Sequence, residues 1–331
     1  MTWLTWRQFR VQTLVTAGAL ASLAIYLIYL GSEIRSFYDE RIANCTAQAC
    51  YLARMDLRAS FDDTVQLMTV LLIAVPGLIG VFWGAPLVSQ ELEQRTDRLV
   101  WNQSVTRTRW LAVKLAILGL FSAAVAGLFS LLLTWSVSRY DEVVGERFAA
   151  LSFDSRNIVP IGYALFAFVL GTIVGMVVRR TLPAMAITLA AFAALQLLIP
   201  TVIRQNLMPP VTDTVAVDAA VLNSGVGLHL KQDNTFDIQG YNAVGSWSLA
   251  FSAPLYKADG SPYRSEDSKA CSVLDDRAAS DACTVAQNLH FEYVNQPGNR
   301  YWTFQWIELS MFLGLSLLLT GFGFFWLRRR S

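Results

Sequence analysis

The chain has 331 residues, 54% of them hydrophobic and 15% charged, with a mean hydropathy of +0.41, a balance too apolar for an ordinary soluble domain. Its 26 Lys and Arg against 25 Asp and Glu leave a formal charge of +1, which excludes a nucleic-acid footprint spread over the whole molecule. The composition points to a membrane protein in which the placement of charge matters more than its total.

The chain opens on "MTWLTWRQFR", aromatic and amphipathic, which predicts a helix lying along a membrane surface. An apolar run at 11–30 follows without a small-residue cleavage site, so it reads as a retained span and not as a signal peptide. Further runs at 65–88, 112–135, 158–178, 181–200 and 304–326 approach or exceed the roughly 20 residues that carry a helix across about 30 Å of hydrocarbon. Between the first two, 31–64 predicts short amphipathic helices. "GVFWG" at 80–84 and "GTIVG" at 171–175 have a spacing that permits close helix crossing, within one subunit or between two.

Basic residues in the gaps set the orientation. With the N-terminus cytoplasmic, the inner face receives Arg7, Arg10, Arg95, Arg98, Arg107, Arg109, Lys114, Arg179, Arg180, Arg328, Arg329 and Arg330, opposed by Glu91, Glu93 and Asp97 alone. Both termini are then cytoplasmic in a multi-pass membrane protein. The second connection, "PLVSQELEQRTDRLVWNQS", follows Pro86 and predicts a short helix whose acids precede its arginines, the order a helix dipole favours. It reads either as an element that docks into a cytoplasmic partner or as a solvated connector that fixes topology.

Between the fifth and sixth spans lie about 100 residues, 201–303, too many for a connection and enough for an inserted extracytoplasmic domain. The division expected is therefore 1–200, 201–303 and 304–331. "LLIPTVIRQNLMPP" reads as a helix end, "SWSLAFSAPLY" and "ACTVAQNLHFEYV" hold strand-compatible segments, and "KADGSPYRSEDSK" reads as a surface loop. Cys45, Cys50, Cys271 and Cys283 all fall in segments assigned outside, where disulfides are permitted. Local pairing, Cys45 with Cys50 and Cys271 with Cys283, is the simplest connectivity, with free or differently paired thiols the alternative. His229 and His290 form no familiar metal spacing with them.

The sixth span begins in "NQPGNRYWTFQWIE". Tyr301, Trp302 and Trp306 suit an interfacial belt, whereas Glu308 falls inside the span, where an ionised group is unfavourable unless paired or wet. Gln305 lies on the same side, and this group predicts an outer gate or interface. The sequence has no phosphate loop, dinucleotide fingerprint or H-E-x-x-H helix. It reads as a non-enzymatic protein that binds no cofactor or metal of its own, and any transport against a gradient takes its energy from elsewhere.

Three stretches carry a resemblance: "MTWLTWRQFR", "FWGAPLVSQELEQRTDRLVWNQSVTRTRWLAVKL" at 82–115 and "NQPGNRYWTFQWIE" at 295–308. The chain resembles permease subunits of bacterial ABC exporters of the type-two, six-helix class, in particular an actinobacterial drug or antibiotic transport branch. That resemblance implies an all-α polytopic fold: six transmembrane helices, an N-terminal amphipathic helix, a cytoplasmic coupling helix and here a large extracytoplasmic insertion. It implies two ATPase subunits that hold ATP and Mg, a permease homodimer and a small amphipathic substrate. It places Trp6, Arg7, Glu91, Glu93, Arg95, Thr96, Arg107 and Arg109 at the ATPase-coupling surface. The insertion departs from the family's short connections and leaves a second reading, a membrane-anchored sensor that binds its ligand through 201–303.

Overall fold

In a computed structural model the chain is described over residues 2–45, 47–94, 106–272 and 277–329. Among the described residues six helices are long and apolar enough to cross a membrane. The contacts divide the chain into two compact units, one formed by Met1–Val144, Ala149–Thr201 and Trp302–Ser331, the other by Gly145–Phe148 and Val202–Tyr301.

In the helical unit, α1 runs from Thr2 to Arg41 and α2 from Ala47 to Ile79. The surface helix expected before the first span is continuous with it, because no proline interrupts the run. Nor are there short helices across 31–64: α1 and α2 extend beyond their apolar stretches and form one hairpin. At 40 and 33 residues these helices measure about 60 and 50 Å, well over the hydrocarbon thickness. A disulfide joins Cys45 to Cys50 at the hairpin tip, with Cα atoms 5.1 Å apart.

The helix continues from α2 through a π-helical turn, Gly80–Gly84, into α3, Ala85–Glu93. Pro76 inside α2 removes one backbone donor. The remaining spans are α4 (Arg107–Ser136), α7 (Val159–Val178), α8 (Thr181–Leu198) and α12 (Tyr301–Arg329). Two short helices, α5 (Ser138–Val144) and α6 (Ala150–Ser155), connect α4 to α7. The hairpin is backed by α4 and α5: Ser136 donates to the Leu27 carbonyl at 2.7 Å, and the Arg35 guanidinium lies 3.8 Å over the Trp135 ring.

The most buried span is α7, and the two glycine motifs explain why. A Cβ on Gly80 would stand 2.6 Å from the Ala167 carbonyl oxygen, and one on Gly84 2.5 Å from that of Phe168. Gly171 and Gly175 meet the backbone of Gly80 and Ala85 just as closely. The two motifs therefore cross one another within the subunit, backbone against backbone.

The second unit is built on a six-stranded antiparallel sheet. Its strands are β1 (Val211–Ala216), β2 (Gly227–Leu230), β3 (Phe236–Gln239), β4 (Trp247–Ser248), β5 (Ser252–Tyr256) and β6 (His290–Gln296). The order is β1-β6-β5-β3-β2, with β4 also pairing β6. Ile238, Leu255, Phe291 and Tyr293 from alternate strand positions pack with Val217, Val221 and Leu222, the last two from α9 (Ala219–Leu222). Two helices, α10 (Ser265–Ser272) and α11 (Arg277–Ala286), precede β6 and are joined by the Cys271–Cys283 disulfide, Cα atoms 5.5 Å apart. The last five of the thirteen residues of the expected loop "KADGSPYRSEDSK" are thus helical, and "ACTVA" is helix rather than strand. Asp267 accepts the Arg264 backbone N–H at 3.0 Å, which with Lys257 holds its carboxyl below the usual carboxylate range.

Candidate functional site

Two polar clusters stand out in the helical unit. The first surrounds α3, which Pro86 starts in its first turn. Glu91 pairs with Lys114 of α4 at 2.5 Å, and the Lys114 ammonium also lies 4.3 Å over the Trp110 ring. Glu93 accepts two hydrogen bonds from Thr181, the backbone N–H at 3.1 Å and the hydroxyl at 2.8 Å. A carboxylate there faces the first turn of α8, where unpaired N–H groups and the helix dipole both favour negative charge. Ser89 adds a hydroxyl contact to Thr181 at 3.2 Å. Both acids expected at a coupling surface thus also tie α3 to two spans, and Lys114 and Thr181, which sequence reasoning left aside, are their partners.

Arg109 is exposed in the first turn of α4, which Thr106 caps by accepting the Arg109 N–H at 3.4 Å. The backbones of Trp6 and Arg7 belong to α1 and that of Arg107 to α4, and their side chains lie outside the described residues, as do Arg95 and Thr96 altogether.

The second cluster lies where α6, α7 and α12 meet. Gln305 is fully buried: its Oε1 accepts the N–H groups of Ile158 and Val159 at 3.3 and 3.2 Å, and its Nε2 donates to the Phe153 carbonyl at 3.3 Å. One side chain of α12 therefore caps α7 and fastens α6. Glu308, one turn on and equally buried, takes the Tyr163 hydroxyl at Oε1, and that hydroxyl lies 3.2 Å from Asp154 Oδ1. The Tyr163 ring is wedged edge-on between Phe312, 4.6 Å away, and Phe192, 6.5 Å away.

The connection into α7 is held from its other side as well. Ser130 of α4 donates to the carbonyls of Ser155 and Asn157 at 3.1 and 2.9 Å, and Arg156 forms an ion pair with Asp141. Trp302 and Trp306 stand apart from this cluster, each more than half exposed. Arg300, weighed as a partner for Glu308, turns instead to Gln296 and the Pro209 carbonyl, at 2.8 and 2.7 Å. Sequence reasoning missed Asp154 and Tyr163; the only available signal was an acid close to the start of an apolar run.

Among the described residues, six long apolar helices and a non-membrane insertion before the last of them define a multi-pass membrane protein. The sequence model of ABC-2 membrane transporter-related proteins matches residues 17–204, more than half of the chain, and the chain belongs to that family. The match spans α1 to α8 and ends where the insertion begins. No curated protein and no solved structure matches the chain.

Proposed function

We propose that the chain is the membrane-spanning permease subunit of an ATP-driven ABC exporter. In this reading two copies work with two separate ATPase subunits, which hold ATP and Mg, to move an amphipathic substrate such as a drug, peptide or lipid-like compound outward, as the likeness to the actinobacterial drug-transport branch suggests. The N- and C-termini and α3 face the cytoplasm, and 201–303 forms the extracytoplasmic domain between 1–200 and 304–331.

The observation that carries the reading is the fastening of α3. An element that only connected two spans would need no internal bonds. A coupling element must pass a push from a partner into the helices, and α3 is tied to α4 through Glu91 and Lys114 and to α8 through Glu93 and Thr181. Arg109 stands exposed in the first turn of α4.

Purification of the full chain from its native membrane tests the proposal. Recovery with an ATPase subunit is expected, and Arg109→Glu is expected to weaken that association at least about tenfold in detergent while membrane abundance stays normal. Recovery with a sensor kinase or cell-wall enzyme and no ATPase supports the sensor reading and overturns this one.

A further inference from the structure

The turn that joins α2 to α3 holds one residue more than an α-helix would. Across Gly80–Gly84 the Ala85 N–H donates to the Gly80 carbonyl, five residues back, where an α-helix bonds four back. Everything beyond the turn therefore stands one residue behind its place in an uninterrupted helix. Ser89 occupies the position that residue 88 would fill, and Glu91 that of residue 90.

Pi-helical turns are rare and sit mostly at functional sites. Two sets of contacts hold this one. A Cβ on Gly171 would strike the Gly80 oxygen and the Ala85 nitrogen, the two ends of the five-residue bond, so glycine at 171 lets α7 lie directly on it. Beyond the turn, the rotation of α3 is keyed by Ser89 and Glu93 on Thr181 and by Glu91 on Lys114. Before the turn the helix is looser, because Pro76 offers no N–H to the Leu72 carbonyl. Phe82, in the middle of the turn, is more than half exposed, so the turn is open on that side.

We propose that this turn is a rotary switch for α3: when the keys on Thr181 and Lys114 release, it relaxes to α-helical spacing, and the stored residue rotates α3 by about 100° and advances it by about 1.5 Å. The inference rests on the permease reading above and describes how displacement of α3 is converted. Relaxation sets Val88 where Ser89 stood, Gln90 where Glu91 stood and Leu92 where Glu93 stood. Lys114 then faces a carboxamide and Thr181 a leucine, and both carboxylates leave their internal partners for a basic surface of the ATPase. The two settings differ by discrete contacts, so a partner that binds one better than the other shifts the balance between them.

Cysteine pairs in the full chain, purified together with its ATPase, test this. The four natural cysteines are bonded to one another, so an introduced pair supplies the only free thiols of the chain. In Ser89→Cys with Thr181→Cys the thiols replace hydroxyls 3.2 Å apart, and mild oxidation without nucleotide is expected to bond them in most chains. ATP with Mg is expected to lower that yield at least about fivefold and to raise the yield of Val88→Cys with Thr181→Cys by a similar factor. Deletion of Phe82 removes the stored residue and leaves α3 in its present setting. In the deleted chain the Ser89→Cys pair is expected to bond and the ATPase to copurify, while ATP changes the yield less than about twofold. Phe82→Ala, which keeps the residue count, is expected to respond as the native chain does. The two cysteine pairs decide the matter even where the deleted chain fails to insert. A Ser89→Cys yield indifferent to ATP, a fall there without the rise at Val88→Cys, or a native ATP response in the deleted chain each overturns the proposal. An ATPase that copurifies while both yields ignore ATP rejects the switch alone; absence of an ATPase from the native preparation rejects the exporter reading and the switch with it.

Discussion

Tyr163 is the residue on which the second cluster turns. Its hydroxyl brings together an acid from α6 and one from α12, and its ring fills the space between Phe192 and Phe312. Glu308 is therefore a packed component of the interior as well as a residue of a proposed gate. Glu308→Gln keeps an acceptor for the hydroxyl and is expected to stay near native stability and membrane abundance. Glu308→Leu removes it and leaves buried polar groups short of a partner, at about 1–3 kcal/mol, which a lower thermal midpoint in detergent and reduced abundance would register. Equal midpoints for the native chain and the Leu variant would show that the contact does not matter. Partner-dependent export by the Gln form then separates polar satisfaction from a need for charge: a stable Gln variant without export assigns the charge a role in transport.

At the level of elements, the crossing of the π-helical turn over α7 sets how closely the spans approach. Gly171→Val forces branched carbons into the Gly80 carbonyl and the Ala85 backbone, where no flexible side chain can give way. A loss of at least about 1–3 kcal/mol is expected, seen as a clear drop in thermal midpoint. Gly314→Ala in α12, where an added Cβ meets nothing within 4 Å, is expected to be neutral or slightly stabilising. If the two variants behave alike, the close crossing carries no stability. The six spans were legible in the sequence because a long apolar run has one economical solution in a bilayer. The glycine spacing was equally legible, but its partner was not: four-residue spacing says that something approaches, and only the fold says that each motif approaches the other. The extension of α1 and α2 past their apolar runs was illegible, since 31–64 is polar and its helices are held by distant residues such as Trp135, under Arg35, and Tyr140, which donates to Asp62. Short strands such as β2 and β3 carry too few residues for their alternation to stand out. Glu308 and Gln305 were visible as polar breaks in an apolar run, whereas their contacts with Tyr163 and Val159 join positions about 145 residues apart and leave no local trace.

For the whole molecule the question is whether α3 matters through what it holds inside the chain or through what it offers a partner. Reversing Glu91 and Glu93 together confounds the two, because each acid is already bonded within the subunit. An exchange of charges separates them. Glu91→Lys alone sets two cations side by side and is expected to lower the thermal midpoint and the amount of inserted protein. Glu91→Lys with Lys114→Glu restores an internal pair of opposite sign and is expected to recover most of that loss. The surface that a partner meets is nevertheless changed, since Glu91 is about one-third exposed while Lys114 is only one-fifth exposed. If α3 is a coupling element, the doubly exchanged chain folds and inserts but binds its ATPase several times more weakly and stimulates its hydrolysis less. If the exchanged chain is native in both association and hydrolysis, Glu91 serves the packing of α3 against α4 and the partner contact lies elsewhere, with Arg109 on the neighbouring turn the next position to reverse.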